Sequence, residues 1–500
     1  MSASTRAFKV AFRCTACGKC CTGKGGKVRV NAREVEAIAD HLSTPTREFR
    51  RQFLRRHPGD DFDSIKQTPD DLQCIFLEGK QCSIYPVRPT QCQTYPFWPQ
   101  QLISKYDWAL TSKECEGVLL DRTSDADIVP NDRILKETVI HEVHRSGESM
   151  TYSEIESLVE ELDPDMLHAF DQEVADKYRR DVVYEDEHVV VLDSFLGTPR
   201  LHACCSSILT SSSLNFVLVL HDDVDTLPPT RSLHFTDRLE LVQSEVFLTP
   251  EGAVDHSYLS LDVHRGLSVA LGFLQDDPPP SSPSPSAVAT DPTWRVAMLG
   301  AGASVLPTFW QHVISRHRPV RIHVVEPSAA MLYAGTHFFD ASDALVVHKQ
   351  TGNAFVTTLL ESSAELLDLV VVDVEDGTTH ELLEHGDVLS APPASMTSKE
   401  FLHNIRRVLG PRGVVAMNVI GHKPTGSLES AGGWDGLATR LATVFDQVWV
   451  LPLEANTLVF GVLGWPSHVL PPLSTTSLSD QEQVVQDIFD EFRPRMRRVH

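Results

Sequence analysis

The stretch WRVAMLGAGASVLPTFWQHVISRH, residues 294–317, decides the fold of the C-terminal half of the chain. An apolar run ends at Gly300, a glycine turn follows, and an apolar helical pattern begins with Pro307 in its first turn. The next apolar run, VRIHVVEP, carries an acid, Glu326, 26 residues after Gly300. Gly300 and Gly302 let the backbone approach a ligand, and the carboxylate of Glu326 can accept both hydroxyls of a ribose. The pattern therefore predicts a strand, loop, helix and strand that bind an adenosine.

The rest of this half indicates which nucleotide binds. Val305 stands where a dinucleotide fingerprint has its third glycine, and no GK[ST] follows. The loop is therefore poorly suited to bind a pyrophosphate. Further strand patterns alternate with helical ones, and the last two, QVWVLPL and TLVFGVLG, are separated only by EAN. A loop this short cannot make a parallel crossover, so these two strands are predicted to form an antiparallel hairpin. A mostly parallel α/β sheet that ends in such a hairpin is typical of S-adenosylmethionine-dependent methyltransferases rather than nicotinamide dehydrogenases.

The 500-residue chain has a formal net charge of −24, and this charge is unevenly distributed. Residues 1–120 hold 18 Lys and Arg against 13 Asp and Glu, a net of +5, which leaves −29 for the remainder. Two bodies of different character are predicted, and the acidic one argues against general nucleic-acid binding. The basic stretch REFRRQFLRRH, Arg47 to His57, leaves two interpretations open: a contact with RNA or a ribosome, and the favoured solvated helix face.

Cysteines crowd the start of the chain. The first residues lack the apolar segment of a signal peptide, and no apolar run approaches a spanning helix, so we expect a soluble, cytoplasmic protein with reduced thiols. Thiolates spaced two residues apart can converge on one soft metal ion. The predicted metal ligands are Cys14, Cys17, Cys20, Cys21, Cys74, Cys82, Cys92 and Cys115. Cys204 and Cys205, in an apolar stretch, are predicted to be core residues.

The segment that carries the eight cysteines resembles a known family. CTACGKCC, LQCIFLEGKQCSIYPVRPTQCQTYPFWP and KECEGV are similar to the CxxCxxCC family of zinc- or iron-chelating domains, over roughly residues 8–120. The metal stays open, because eight thiolates can fill two tetrahedral zinc sites or hold an iron–sulfur cluster with four to spare. The doublet Cys20 and Cys21 favours a shared or two-centre arrangement, because adjacent side chains diverge.

Changes of pattern divide the chain into five segments. These are a cysteine-rich metal-binding module at 1–120, a helical connector at 121–180, a small antiparallel β domain at 181–250, the methyltransferase domain at 251–470 and a C-terminal tail at 471–500. The Pro- and Ser-rich residues 276–292 are predicted to be a flexible loop. His141 and His144 lack the spacing of a HExxH zinc helix, and we predict both at the surface.

Residues 181–465 resemble the spermidine-synthase-like methyltransferases, and within them the branch that methylates a lysine and the N terminus of elongation factor 1-alpha. The resemblance is carried by LELVQSEVFL, DHSYLSLDVHRGLSVALGFL, VAMLGAGASVLP, LDLVVVDVED and PPASMTSKEFLHNIRRVLGPRGVVAMNVI. It implies a small β domain followed by a seven-stranded Rossmann-like sheet. It also implies that Gly300, Gly302 and Glu326 bind the cofactor, that Asn353 meets the adenine edge, and that Asp373 lies beside the transferred group. The other interpretation of Asp373 is a carboxylate that ends a strand and caps the next turn.

The two resemblances imply methyl transfer from S-adenosylmethionine to a protein amine, with a zinc or iron–sulfur module at the N terminus. The expected partner is a protein substrate, with a translation factor as the candidate. No membrane partner is expected, and the sequence gives no strong signal for nucleic-acid binding. The formation of a homodimer is left open. One alternative is a polyamine aminopropyltransferase, although its D-S-x-D-P motif is altered to DVEDG at residues 373–377. The other is an inactive metal-binding or redox adaptor.

Overall fold

The two halves of the chain fold as separate compact units in the computed structural model. The described residues are 8–22, 27–56, 61–68, 72–120, 125–195, 209–211, 214–218, 228–274, 293–315, 318–362, 365–375, 380–382, 387–422, 434–465 and 480–500. One unit comprises those within Met1–Asp181 and Ser194–Pro228, and the other those within Val182–Asp193 and Pro229–His500. The connector helices thus group with the cysteine-rich module, whereas the sequence patterns separated them.

The predicted loop 276–292 lies outside the described residues, as do Cys204 and Cys205 with their predicted core position. Within the described part of the chain, no helix has the length and apolarity needed to cross a membrane.

Short strands and amphipathic helices build the first unit around small hydrophobic cores. Its strands are β1 Ala11–Phe12, β2 Arg29–Val30, β3 Leu54–Arg55, β4 Asp63–Ile65, β5 Leu77–Glu78, β6 Gln81–Cys82 and β7 Val118–Leu119, and its helices are α1 Ala32–His41, α2 Thr46–Phe53, α3 Thr90–Thr94, α4 Lys105–Glu114, α5 Asn131–Arg145, α6 Tyr152–Glu160 and α7 Pro164–Lys177. Asn31 starts α1 with a capping box, in which the side chains of Asn31 and Glu34 each accept the other's backbone N–H at 3.0 Å.

His141 and His144 are buried on α5, so their predicted surface position is wrong. His144 Nε2 lies 3.0 Å from Glu34 Oε2, and His141 Nδ1 lies 3.3 Å from Thr94 Oγ1. Glu34 also accepts the backbone N–H of Thr90 at 2.7 Å. One buried carboxylate therefore joins α1, α3 and α5. The pattern HEVHR could not predict this, because the partners are 110 and 47 residues away.

The basic stretch forms α2 and the residues that follow it. Phe49 is buried on one side of the helix, and Arg51 is exposed. Arg50 and Arg56 both pair with Asp63 of β4, the second at 2.9 Å. This arrangement matches the favoured interpretation of a solvated helix face.

The second unit contains the large sheet and the helices that cover it. In chain order the remaining strands are β8 Arg180–Glu185, β9 Val189–Ser194, β10 Leu209–Ser211, β11 Leu214–Leu218, β12 Thr230–Phe235, β13 Arg238–Leu248, β14 Val254–Asp255, β15 Trp294–Leu299, β16 Val320–Val325, β17 Val346–His348, β18 Leu367–Val372, β19 His380–Leu382, β20 Asp387–Ala391, β21 Leu409–His422, β22 Gln447–Pro452, β23 Thr457–Val462 and β24 Arg497–Arg498, and the remaining helices are α8 Asp262–Ser268, α9 Val305–Ile314, α10 Ala329–Phe338, α11 Gly352–Glu361, α12 Ala394–Thr397, α13 Lys399–Val408, α14 Asp435–Ala442 and α15 Asp480–Phe492. Strands β10 and β11, which fall in the first unit, pair with each other.

The large sheet has the strand order β17, β16, β15, β18, β21, β23, β22 and β24. The first five of these strands pair in parallel, whereas β23 is antiparallel to both of its neighbours. The predicted hairpin is confirmed as β22 and β23, in register from Gln447↔Val462 to Pro452↔Thr457. The predicted α/β fold with a Rossmann-like sheet is therefore confirmed. β24 extends the edge, and β20 pairs with both β21 and β19.

Alternation along the strands distributes apolar side chains to both faces of the sheet. In β15, Val296 and Met298 belong to one core, and Ala297 and Leu299 belong to the core on the other face. Parallel strands covered on both faces read as continuous apolar runs, which is the pattern WRVAML shows. The same unit holds the small antiparallel sheet in the order β14, β13, β12, β9 and β8.

The last described residues are part of the second unit's core, which differs from the predicted C-terminal tail. Ile488, Phe489 and Phe492 of α15 are buried with the apolar residues of the sheet. Beyond the helix, β24 pairs with β22 through Trp449↔Arg498 and Val450↔Arg497. Their spacing of one and four residues places the three apolar side chains on one helix face, which is a signal the sequence carries.

Candidate cofactor and active site

The predicted cofactor residues meet at the carboxyl ends of the parallel strands. Gly300 follows β15 with φ 78°, and Gly302 follows with φ 52°, backbone conformations that side chains disfavour. A Cβ on Gly300 would overlap the carbonyl oxygen of Asp373 and lie 2.7 Å from Val374 Cγ2. A Cβ on Gly302 would lie 2.8 Å from Ser244 Oγ. The glycines thus keep the loop close to β18 and β13.

Glu326 lies at the end of β16, buried beside the glycine loop. Its Oε1 accepts the backbone N–H of Ser328 at 2.9 Å, and its carboxylate also accepts from the backbones of Ala301 and Gly302. Burial raises the pKa of Glu326, and these backbone hydrogen bonds partly oppose the rise. The structure therefore brings Glu326 and Gly302 together, although Gly302 lies in the loop after β15 and Glu326 directly follows β16.

Asn353 begins α11, after β17, in the position that the resemblance implies for the adenine edge. Its Oδ1 is buried and has no hydrogen-bond partner among the described residues. An unsatisfied acceptor at this depth is costly unless a ligand supplies a donor. The exocyclic amine of adenine is such a donor, so the orphaned Oδ1 fits S-adenosylmethionine, together with the glycine loop and the carboxylate of Glu326.

Asp373 follows β18 directly, and a chain of amides holds it. Its Oδ1 accepts from Asn418 Nδ2 at 2.8 Å, and Asn418 Oδ1 accepts from Asn456 Nδ2, also at 2.8 Å. Burial raises the pKa of Asp373 to about 6; the Asn418 hydrogen bond opposes this rise, and the charge of Glu375 adds to it. Near neutral pH the carboxylate is therefore ionised but able to take up a proton.

Glu375, the second acid of DVEDG, has a partner of its own. Its Oε1 lies 2.9 Å from Arg238 Nη1, and both side chains are partly buried. The arginine comes from the start of β13, 137 residues earlier in the chain. The ion pair offsets the charge of Glu375 in part, whereas Asp373 has no arginine or lysine partner among the described residues.

His264 on α8 is a site residue that the sequence patterns did not reveal. It is 6% exposed, and its Nε2 lies 4.0 Å from Asp373 Oδ2. Burial lowers the pKa of His264 to about 4, so the ring is neutral. The residue lies within a stretch that carried the resemblance, but only the tertiary contact with β18 marks it. Tyr258, from the same stretch, is 52% exposed.

Several of the predicted metal ligands in the first unit lie near one another, although they are far apart in the sequence. The backbone N–H of Cys74 donates to the carbonyl of Cys21 at 2.7 Å. Gly18, with φ 75°, brings the loop so close to the β5–β6 hairpin that a Cβ would lie 3.2 Å from Lys80 O. Cys82 is in β6 of that hairpin, next to this loop.

The thiols also influence each other electrically. Burial raises the pKa values of Cys74, Cys82, Cys92 and Cys115, and a negative charge on a neighbouring thiol would raise each of them further. A hydrogen bond with Cys21, together with burial, raises the pKa of Cys20 as well. A soft cation would relieve this repulsion, and thiolates are the donors it prefers. In the described part of the chain, however, no three His, Cys, Asp or Glu side chains converge closely enough to hold a metal ion. The donor chemistry fits a metal, but the arrangement does not define its geometry.

A sheet in this order, with a glycine loop and an acid after its first two strands, defines the Rossmann-like methyltransferase fold. The first unit matches a second class: residues 13–116 match the CxxCxxCC family, described as "Putative zinc- or iron-chelating domain". This match confirms the first resemblance over those residues, and the curated relatives that follow are proteins of the kind that the second resemblance names.

The "eEF1A lysine and N-terminal methyltransferase" of Bos taurus is 27% identical to this chain over 216 residues. The match covers 42% of this chain and 27% of that protein. The Homo sapiens protein of the same name is 24% identical over 246 residues, which cover 47% of this chain and 31% of that protein. The chain therefore spans less than a third of the length of these curated relatives.

Two solved structures show a more distant likeness. A probable spermidine synthase from Corynebacterium glutamicum has a TM-score of 0.36 and 17% identity, with 54% of this chain and 82% of that chain covered. Human Methyltransferase-like protein 13 in complex with SAH has a TM-score of 0.33 and 19% identity, with 46% of this chain and 91% of that chain covered. Scores of this size carry no argument about activity.

Proposed function

We propose that the chain is an S-adenosylmethionine-dependent methyltransferase that methylates a protein amine. The observation that carries the proposal is the meeting of three features at one edge of the sheet. They are the glycine loop at Gly300, the buried acid Glu326 and the ionisable carboxylate of Asp373, which follow β15, β16 and β18. Ligands of open α/β sheets bind at the carboxyl ends of the strands, which is where these groups lie.

Each residue has a distinct part in this proposal. Glu326 accepts hydrogen bonds from the ribose hydroxyls, Asn353 Oδ1 accepts from the adenine amine, and the glycines leave room for the cofactor. S-adenosylmethionine, when bound, supplies an electrophilic methyl group. Asp373 accepts a hydrogen bond from the substrate amine and later holds the proton that the methylated amine releases. The main tasks of the protein are to hold the amine in line and to exclude water.

The protonation state of the amine separates two substrate classes. An α-amine has a pKa of about 7.7–8.0, so a useful fraction is neutral at pH 7, whereas a lysine with a pKa of about 10.4 costs about 4 to 5 kcal/mol to deprotonate. The curated relatives are named for both kinds of amine. An N terminus of a protein, with a translation factor as the candidate, is the substrate we favour, and a lysine is the second choice.

For the cysteine-rich module we propose metal binding as a source of stability. Its hydrophobic cores are small, and metal coordination contributes folding free energy directly in such domains. Zinc and an iron–sulfur cluster both suit thiolate donors. We assign the module no part in the methyl transfer itself.

The test of the proposed function is to incubate the purified full chain with radiolabelled S-adenosylmethionine and a cell extract, and to identify the labelled residue. We expect a labelled protein amine, and no label with Asp373→Asn. Release of methylthioadenosine from decarboxylated S-adenosylmethionine and putrescine would instead support an aminopropyltransferase. Cofactor binding without transfer to any acceptor would support an inactive adaptor.

A further inference from the structure

His264 is held firmly next to Asp373, without touching it. The residue is 6% exposed, and α8 is fixed by contacts two and four residues after it. Ser268 Oγ donates to the His264 carbonyl at 2.9 Å and accepts from Trp310 Nε1 at 3.0 Å. A Cβ on Gly266 would lie 2.6 Å from Leu458 Cδ1, so α8 packs tightly on β23. The histidine therefore has little freedom to move toward or away from the carboxylate.

The polar atoms of this pair are not satisfied by each other. The 4.0 Å between His264 Nε2 and Asp373 Oδ2 is too long for a hydrogen bond. His264 Nδ1 is buried and has no hydrogen-bond partner among the described residues. Asn418 engages the other oxygen of Asp373, Oδ1, and leaves Oδ2 toward the histidine. A donor group between Nε2 and Oδ2 could form a hydrogen bond with each of these two atoms, whereas Nδ1 lies on the other side of the ring.

The geometry points to His264 as the second acceptor for the substrate amine, a role that rests on the proposed function. A neutral primary amine has two N–H bonds and one lone pair. A nitrogen about 2.9 Å from both His264 Nε2 and Asp373 Oδ2 can donate one N–H to each, since these acceptors are 4.0 Å apart. The two hydrogen bonds then fix the direction of the lone pair. Burial keeps the ring neutral by lowering the pKa of His264, and Nε2 accepts in the neutral tautomer that carries its proton on Nδ1.

The transfer step balances with these groups alone. The amine nitrogen forms a bond to the methyl carbon, the carbon–sulfur bond of S-adenosylmethionine breaks, and S-adenosylhomocysteine leaves. The extra proton of the product goes to the carboxylate of Asp373. The monomethylated amine has one N–H left, which one acceptor can hold. The first methyl transfer therefore depends on both acceptors, whereas the second depends on Asp373 alone.

The difference between the first and the second methyl transfer can be measured, and a histidine with only a structural role would not produce it. The substrate is a synthetic peptide that carries the amine labelled in cell extract, in unmethylated and monomethylated forms. We expect His264→Ala to lower kcat/KM by about tenfold on the unmethylated peptide, the size of one lost hydrogen bond, and by less than about threefold on the monomethylated one. His264→Gln keeps an acceptor oxygen and should recover most of the loss on the unmethylated peptide.

Calorimetry supplies a measurement that does not require turnover. In the complex with S-adenosylhomocysteine, His264→Ala should weaken binding of the unmethylated peptide by about tenfold. The affinity for S-adenosylhomocysteine alone should stay unchanged, which also shows that the variant folds.

Equal losses on the two peptides, no loss on either, or a glutamine variant as poor as the alanine variant would overturn the role of His264. A labelled oxygen or sulfur atom would overturn it too, but would leave methyl transfer standing. If the parent protein labels nothing, the proposed function itself fails, and the role of His264 falls with it.

Discussion

Replacing Asp373 with asparagine should make the protein more stable and less active. Burial raises the pKa of this carboxyl from 3.8 to about 6, so the folded state binds the proton more tightly than the unfolded chain. Ionisation therefore opposes folding: the penalty is absent below about pH 3.8 and complete above about pH 6. The difference in pKa corresponds to about 3 kcal/mol. This is an upper value, because the side chain keeps 20% of its exposure.

Asparagine removes the charge and keeps the shape. Its amide oxygen can still accept from Asn418 Nδ2, which now donates to Asp373 Oδ1 at 2.8 Å. Urea unfolding of the full chain should show a gain of up to about 3 kcal/mol at pH 8, and about half of that at pH 5. The exposed Asp343 provides the matched control, since Asp343→Asn should change little at either pH. Turnover should fall, while calorimetry should find the affinity for S-adenosylmethionine within a few-fold of the parent.

Several results would refute this reasoning about Asp373. A loss of stability at pH 8 would mean that the ionised carboxylate contributes more to folding than its burial costs. An equal gain in the free energy of unfolding at both pH values would mean that the gain does not depend on the ionisation of Asp373. Unchanged turnover would return Asp373 to the structural interpretation, a carboxylate that ends a strand and caps a turn.

Three further changes test the cofactor loop and the cysteine module. Glu326→Ala should weaken S-adenosylmethionine binding by about 1 to 3 kcal/mol in calorimetry, because a charged hydrogen bond is lost; equal affinities would contradict the assignment. Gly300→Ala should destabilise the protein in thermal unfolding by more than Gly147→Ala, since both have positive φ but only the Gly300 Cβ would overlap other atoms; equal losses would show that the overlap is relieved. Elemental analysis after anaerobic purification should find zinc, or iron with acid-labile sulfide, and removal of the metal should unfold residues 8–120. A folded module with neither metal would refute the metal proposal.

The features that the sequence predicted correctly depend on neighbours along the chain. WRVAML reads as a buried parallel strand because both of its faces are covered, and its two alternating sets of side chains do enter two cores. The hairpin of β22 and β23 follows from a connection of only four residues, which excludes a crossover. The glycines at Gly300 and Gly302 have the positive φ values that such a loop needs. In each case the physical cause lies within a few residues.

The features that the sequence did not reveal depend on partners far away. His141 and His144 are typical surface residues by pattern, yet Thr94 and Glu34 supply buried partners from other helices. His264 is one histidine among many until the fold brings its Nε2 within 4.0 Å of Asp373 Oδ2. Periodicity describes which face of an element is apolar, but it cannot show which polar side chain a distant element satisfies. Site residues of this kind become visible only with tertiary structure.

The ion pair of Arg238 and Glu375 shows why this matters for the choice of chemistry. Read along the chain, DVEDG offers several carboxylates, and such a cluster could attract the two charges of a polyamine. The pair at 2.9 Å neutralises Glu375 with a side chain from another strand. Among the described residues at the end of β18, Asp373 is the carboxylate without an arginine or lysine partner, and it lies next to the neutral ring of His264. A site with one charge and one neutral acceptor suits a single neutral amine better than a dication, because a second ammonium group would find no free carboxylate among the described residues of this site.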